Sequence, residues 1–188
     1  MKIRLIITIL ITGFLTVLTS CENEDPIPED KINTSELEVG WNGFIMDETE
    51  YATPNAIIEI WGETDSLSSD FDIYFTDGTF NPQIRAVSDY SLLIYFDANS
   101  PSLDELSTGV YYFENTPERL PNKIVEAYIE IINDTSIDRY QIIEGTVEVS
   151  ENDGYFLLEY LLKTVKDQEI IDVVGQYTGL FQLIDQRI

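Results

Sequence analysis

The 188-residue chain has no histidine, one cysteine, two methionines and only 10 Lys+Arg against 35 Asp+Glu, a formal charge of −25. Each shortage closes a class of chemistry. Without histidine there is no Ser-His-Asp or Cys-His relay and no histidine-ligated zinc or haem. The lone Cys21 admits no intrachain disulfide, so the fold must be held by its core. The few bases form no cluster, and so acidic a chain repels phosphate backbones, which excludes nucleic acid as a partner. The longest apolar run stops short of the roughly 20 residues that span a membrane.

What is present begins with an address. Met1-Lys-Ile-Arg4 supplies a positive start and Leu5 to Leu18 an apolar stretch broken only by Thr and Gly, so residues 1–20 read as a signal peptide. The residues that follow, Leu18-Thr19-Ser20-Cys21, resemble the bacterial lipobox. That resemblance implies cleavage before Cys21, lipidation of its thiol and a membrane held through the N-terminal lipid. Two or three acyl chains at about 0.8 kcal/mol per buried methylene anchor firmly. Residues 21–34 are the lipidated cysteine and an acidic tether, rich in charge and proline with little to bury. Glu22, Glu24 and Asp25 are similar to the acidic stretches behind the lipidated cysteine of Bacteroidetes surface lipoproteins. This implies an outer-membrane protein, exposed at the surface or facing the periplasm.

Residues 35–188 read as one all-β domain. Short segments rich in Ile, Val, Tyr and Phe are broken every 8 to 14 residues by turn chemistry, which predicts an antiparallel β-sandwich, with a lipocalin-like β-barrel as the alternative. Helix is confined to at most one short turn at Pro101–Leu106, where Ser102 and Glu105 have capping-box spacing. In Ile124–Ile132, Val125, Ala127, Ile129 and Ile131 alternate with Glu126, Tyr128 and Glu130, so the former face the core and the acids face water. Phe71, Ile73 and Phe75 alternate with Asp72 in the same way. Glu151-Asn-Asp-Gly154 and Lys166-Asp-Gln-Glu169 predict two successive hairpins, with Phe156, Leu158, Tyr160 and Leu162 inward and Tyr177 and Phe181 as their neighbours. A single last strand is expected over Ile170–Leu183, where Gly175 and Gly179 leave room for facing rings or for coiling. The series Leu106-Ser-Thr-Gly109-Val-Tyr111, Glu144-Gly145-Thr-Val-Glu-Val149, Gly154-Tyr155 and Gly175-Gln-Tyr-Thr-Gly179 resembles a group of Bacteroidetes cell-envelope lipoproteins with compact β-sandwiches. The resemblance implies the fold and no catalytic residue.

Candidate chemistry is sparse. No carboxylate pair is marked out as catalytic, and Glu126, Glu130, Glu144 and Glu148 fall on polar strand faces. Asp65, Asp70 and Asp72, around one loop, are weak calcium candidates without the spacing or glycine of an EF-hand. Trp61 lies opposite the Ile58/Ile60 face and Trp41 precedes the Asn42-Gly43 turn, so their indoles are weak candidates for stacking on a glycan. No cofactor is implied. The reading is a membrane-anchored, non-catalytic module that binds a glycan or an envelope protein. The alternative is a lipid-anchored carboxylate-dependent glycan hydrolase.

Overall fold

The computed structural model describes residues 41–187 apart from 66–67 and 115–117. The signal peptide, Cys21 and the tether expected over 1–34 lie outside the described residues, as does most of the strand expected at Leu37–Trp41. The described residues form β1 (Gly43–Met46), β2 (Thr49–Ala52), β3 (Asn55–Asp65), β4 (Ser68–Thr76), β5 (Thr79–Asn81), β6 (Ala86–Ser88) and β7 (Leu92–Ser100). There follow β8 (Gly109–Phe113), β9 (Lys123–Asn133), β10 (Ser136–Asn152), β11 (Tyr155–Lys166), β12 (Glu169–Gly179) and β13 (Gln182–Asp185). The described residues are all-β, as the patterning predicts.

Eleven of these strands make one sheet in the order β13-β3-β4-β7-β9-β8-β10-β11-β12-β1-β2, and β5 pairs with β6 apart from it. Pairing is antiparallel except for β13 on β3 and β8 on β9. The sheet curls until its two halves face one another. Phe75 on β4 stacks on Tyr160 of β11 at 5.8 Å and on Tyr177 of β12 at 5.2 Å, and Phe96 of β7 meets the edge of Tyr160 at 5.9 Å. The two facing layers are therefore one continuous sheet folded over a single core, in which Phe71, Ile73, Phe75, Leu158, Tyr160 and Leu162 are buried. Period-two patterning requires this, since both halves carry an apolar face that only the other can cover.

Local chemistry sets the hairpins. The β10–β11 turn places Asp153 and Gly154 at φ 53° and 80°, and the β11–β12 turn places Asp167 and Gln168 at 51° and 75°. Positive φ at both central residues matches the right-handed twist of the flanking strands. The same two-residue turn joins β1 to β2 at Asp47 and Glu48, a hairpin that residue patterning did not predict.

Four expectations are corrected. No helical turn forms at Pro101–Leu106; Ser100 organises a run of bends instead, its hydroxyl donating to the Glu105 carbonyl and accepting from the amides of Ser102 and Ser107. The strand expected over Ile170–Leu183 breaks at Leu180-Phe181, and β13 leaves to pair with β3, so Leu183 is exposed. In β9 the register slips between the Asp97/Glu126 and Ala98/Ile124 pairs, a bulge that buries Ile124 in place of Val125. Glu130, expected in water, is buried; Arg139 and Tyr90 pair with it.

Candidate functional site

The face of β3, β4, β7 and β9 that turns away from the core carries a dense polar network among the described residues. Cross-strand register puts Glu59 opposite Asp72, Asp72 opposite Asp97, and Asp97 opposite Glu126, giving a row of carboxylates across four strands. One pleat along, Tyr74, Tyr95 and Tyr128 form a parallel row with ring centroids 5.2 and 4.8 Å apart. Like charges directly opposite each other destabilise a sheet. Here donors from neighbouring positions offset that repulsion.

Asp72 accepts from Tyr95 Oη at 2.6 Å and from Trp61 Nε1 at 2.7 Å. Glu59 accepts from Tyr74 Oη at 3.1 Å and from Gln186 Nε2 at 2.6 Å. Asp97 takes both guanidinium nitrogens of Arg119 at 2.9 Å. Further along, Arg139 bonds Glu130 and lies 4.0 Å over the ring of Tyr128. The tyrosines thus lean over the acids, and the acids fix the rings.

Arg119 Nη1 also lies 2.8 Å from Asp70 Oδ1, but off the N–H direction, so that buried oxygen has no aligned donor. Burial first, and Asp97 second, push the Asp70 carboxyl up to about 7, with Arg119 pulling it back. Burial also raises Asp72, against the hydrogen bonds from Tyr95 and Trp61. Tyr74 and Tyr95 are driven well above the ordinary phenol range by burial and by their carboxylate neighbours. Both therefore stay protonated donors at any physiological pH.

The structure brings together Trp61, Asp70 and Asp72 from among the residues singled out in the sequence. Trp61 is half exposed at the margin of the platform. Asp65 ends β3, and its side chain is outside the described set. The oxygens of Asp70 and Asp72 are engaged by Arg119, Tyr95 and Trp61, and no group of three acidic side chains poised for a metal occurs among the described residues. Trp41 sits elsewhere, beside β1, with its ring edge against Gly43 and its carbonyl bonded by Gln176. Glu59, Tyr74, Tyr95, Asp97, Arg119, Tyr128 and Gln186 were not singled out in the sequence. A signal for most of them existed: Asp72-x-Tyr74, Tyr95-x-Asp97 and Glu126-x-Tyr128 place an acid and a tyrosine on one face of three strands.

Two surface hollows offer little for catalysis. One of about 180 Å³ between Pro54, Ile57, Tyr177 and Leu180 contains no carboxylate, and an open one at Ser91 and Ile132–Thr135 contains Asp134 alone. No protein-family model, curated protein or solved structure matches this chain, so the site is read from its own geometry.

Proposed function

We propose that this chain is a lipid-anchored, non-catalytic binding module of a bacterial cell envelope, and that it engages its ligand through the outward face of β3, β4, β7 and β9. The lipid anchor follows from Leu18-Thr19-Ser20-Cys21 behind an apolar segment. The observation that supports the binding face is Trp61, half exposed and pinned by Asp72 beside the tyrosine row. Its indole is rigid, amphipathic and free on one side, the kind of side chain that dominates recognition surfaces.

The hydrolase alternative draws on one observation, the raised Asp70 carboxyl beside Asp97. A glycosidase needs its carboxyls about 5 to 9 Å apart with substrate or water between them. Arg119 instead fills the space between Asp70 and Asp97, contacting one oxygen of each through the same nitrogen. The module is the better reading.

The test uses the full chain purified from membranes and reconstituted in liposomes. Mass spectrometry should find a diacylglyceryl Cys21 at the mature N-terminus, and Cys21→Ala should leave the precursor uncut. Calorimetric titration with a panel of envelope oligosaccharides, peptides and amines should give saturable binding that Trp61→Ala abolishes, with the ligand recovered unchanged. Cleaved ligand would support the hydrolase, and binding indifferent to Trp61→Ala would move the site elsewhere.

A further inference from the structure

The other half of the sheet turns a second unusual face to solvent. Phe44, Val173, Leu162, Val147 and Tyr111 are buried in the core, so the residues next to them along each strand point away from it. Cross-strand register sets Ile45 beside Val174, Val174 beside Leu161, Leu161 beside Thr146, and Thr146 beside Tyr112. The result is one outward row across β1, β12, β11, β10 and β8 in which only Thr146 is polar. Each of these side chains is at least partly exposed, and Tyr112 is half exposed. A sheet with one face on the core ordinarily turns polar residues to water on the other.

Acids border the row. One pleat along, Glu159 on β11 stands directly opposite Glu148 on β10, and neither has an ion-pair partner among the described residues. Like charges so placed destabilise a sheet, and a cation brought from outside relieves them. Glu50 on β2 stands opposite Ile45 at one end of the row. On the other flank Lys163 lies between Asp172 and Glu144, which leaves that side negative as well. At the far end Lys123 stands 5.8 Å over the Tyr112 ring and is paired with Glu114.

An apolar centre with an acidic rim is complementary to a helix that has an apolar stripe and basic flanks. We infer that this face, separate from the Trp61 platform, captures a free cationic amphipathic peptide, which folds as a helix across the row. Strands about 4.8 Å apart make the row about 19 Å long, the length of about 13 helical residues, and the strand spacing is close to the helix pitch of about 5.4 Å. With the flanking rows the footprint is roughly 19 by 14 Å, well below the roughly 800 Å² per partner of a stable interface between folded proteins. A single helix fits it. A second copy would set acid on acid, and the chain's own residues 21–34 hold five acids against Lys31.

The test titrates the full chain, held in phosphatidylcholine nanodiscs with empty nanodiscs as the blank, into a labelled Leu/Lys peptide of about 14 residues at about 0.15 M salt. Fluorescence anisotropy should show saturable binding, and circular dichroism a gain of helix, since so short a peptide is marginally helical alone. A scrambled peptide of the same composition should bind about tenfold more weakly or worse. Glu148→Gln combined with Glu159→Gln should weaken binding about fivefold, and Leu161→Ser about tenfold. Tyr112→Ser removes a half-exposed ring and should weaken binding too, which covers the case in which Leu161→Ser unfolds. Glu63→Gln combined with Glu105→Gln removes the same charge from exposed sites off this face and should bind as the parent does, as should Trp61→Ala. Equal affinity for the scrambled peptide, or equal weakening by the two acid pairs, would reduce the effect to net charge and overturn the inference. Loss of binding in Trp61→Ala would move the peptide to the platform and overturn it as well. Self-association of the parent that Leu161→Ser abolishes would give the face to a second copy instead. Silence toward the peptide would overturn the inference and leave the Trp61 platform untouched.

Discussion

Replacing Gly175 by alanine tests the packing of the core at its tightest point. Gly175 on β12 lies directly opposite Tyr160 on β11, and a Cβ there would stand 2.3 Å from Cε2, 2.4 Å from Cζ and 2.5 Å from the hydroxyl of Tyr160. The ring has no way to retreat. Phe75 is stacked on it, Phe96 meets its edge, and its hydroxyl donates to the Gly43 carbonyl at 3.0 Å. If the strands shift to accept the methyl, overpacking costs about 1–3 kcal/mol. If the ring is expelled, the loss approaches the 3–5 kcal/mol of deleting a buried aromatic. A loss of about 3 kcal/mol is expected, a large part of the roughly 5–15 kcal/mol that holds a domain together. Urea unfolding of the full-length protein in detergent, followed by near-ultraviolet circular dichroism, measures it. Combining Gly175→Ala with Tyr160→Leu removes the clash, so the cost of the double variant should fall short of the sum of the two single costs by about 1 kcal/mol or more. Gly154→Ala is the contrast, since nothing lies within 4 Å and the cost, about 1 kcal/mol, comes from φ 80° alone. A Gly175→Ala change within about 0.5 kcal/mol of the parent, or strict additivity with Tyr160→Leu, would refute the account of the glycine as a cradle for the ring.

Two further outcomes are expected. Gln168 holds φ 75° in the β11–β12 turn, so Gln168→Gly should raise stability by about 0.5–1 kcal/mol in the same urea assay. The Asp70 carboxyl is raised from 3.8 to about 7 in the folded state, so the native protein binds a proton that the unfolded chain has released, and this group's contribution to stability is present at low pH and lost between about pH 4 and 7. Unfolding midpoints measured from pH 4 to 8 should therefore show parent minus Asp70→Asn falling across that window and level above it. A difference that rises with pH would reverse the sign and with it the burial assigned to Asp70.

The legible parts of the fold were those governed by one strand or one turn. Leu158, Tyr160 and Leu162 point inward because Glu159 and Lys163 cannot, and the Asp153-Gly154 hairpin follows from turn chemistry. What escaped depends on distant partners. The last strand divides at Leu180-Phe181 because β3 offers an edge to Gln182–Asp185, and nothing within residues 170–183 announces that edge. Glu130 is indistinguishable from Glu126 by period alone, yet Arg139 and Tyr90 close over the former and leave the latter in water. The platform escaped for a related reason. Trp61, Asp70 and Asp72 drew notice as isolated aromatic and acidic residues, whereas the network that binds them to Tyr95 and Arg119 is assembled from strands far apart in the chain.

A polar network of this kind has a structural explanation to compete with, namely that it fixes strand register. On β4 and β7 that task is already done from the other side. Phe71, Ile73 and Phe75 on β4, and Ile94, Phe96 and Ala98 on β7, are all buried, and a slip of one residue would turn every one of them outward. Register needs no help from four carboxylates set side by side, an arrangement that costs free energy unless each is bonded. Simpler outward residues, threonine or valine, would satisfy the same pleat without burying acidic side chains that each need a partner. Chains depart from such local consistency mostly where function requires it. The acid and tyrosine rows are a departure of that kind, and they share their surface with the half-exposed Trp61. Under the proposed binding role their placement has a cause that selection for folding alone does not supply.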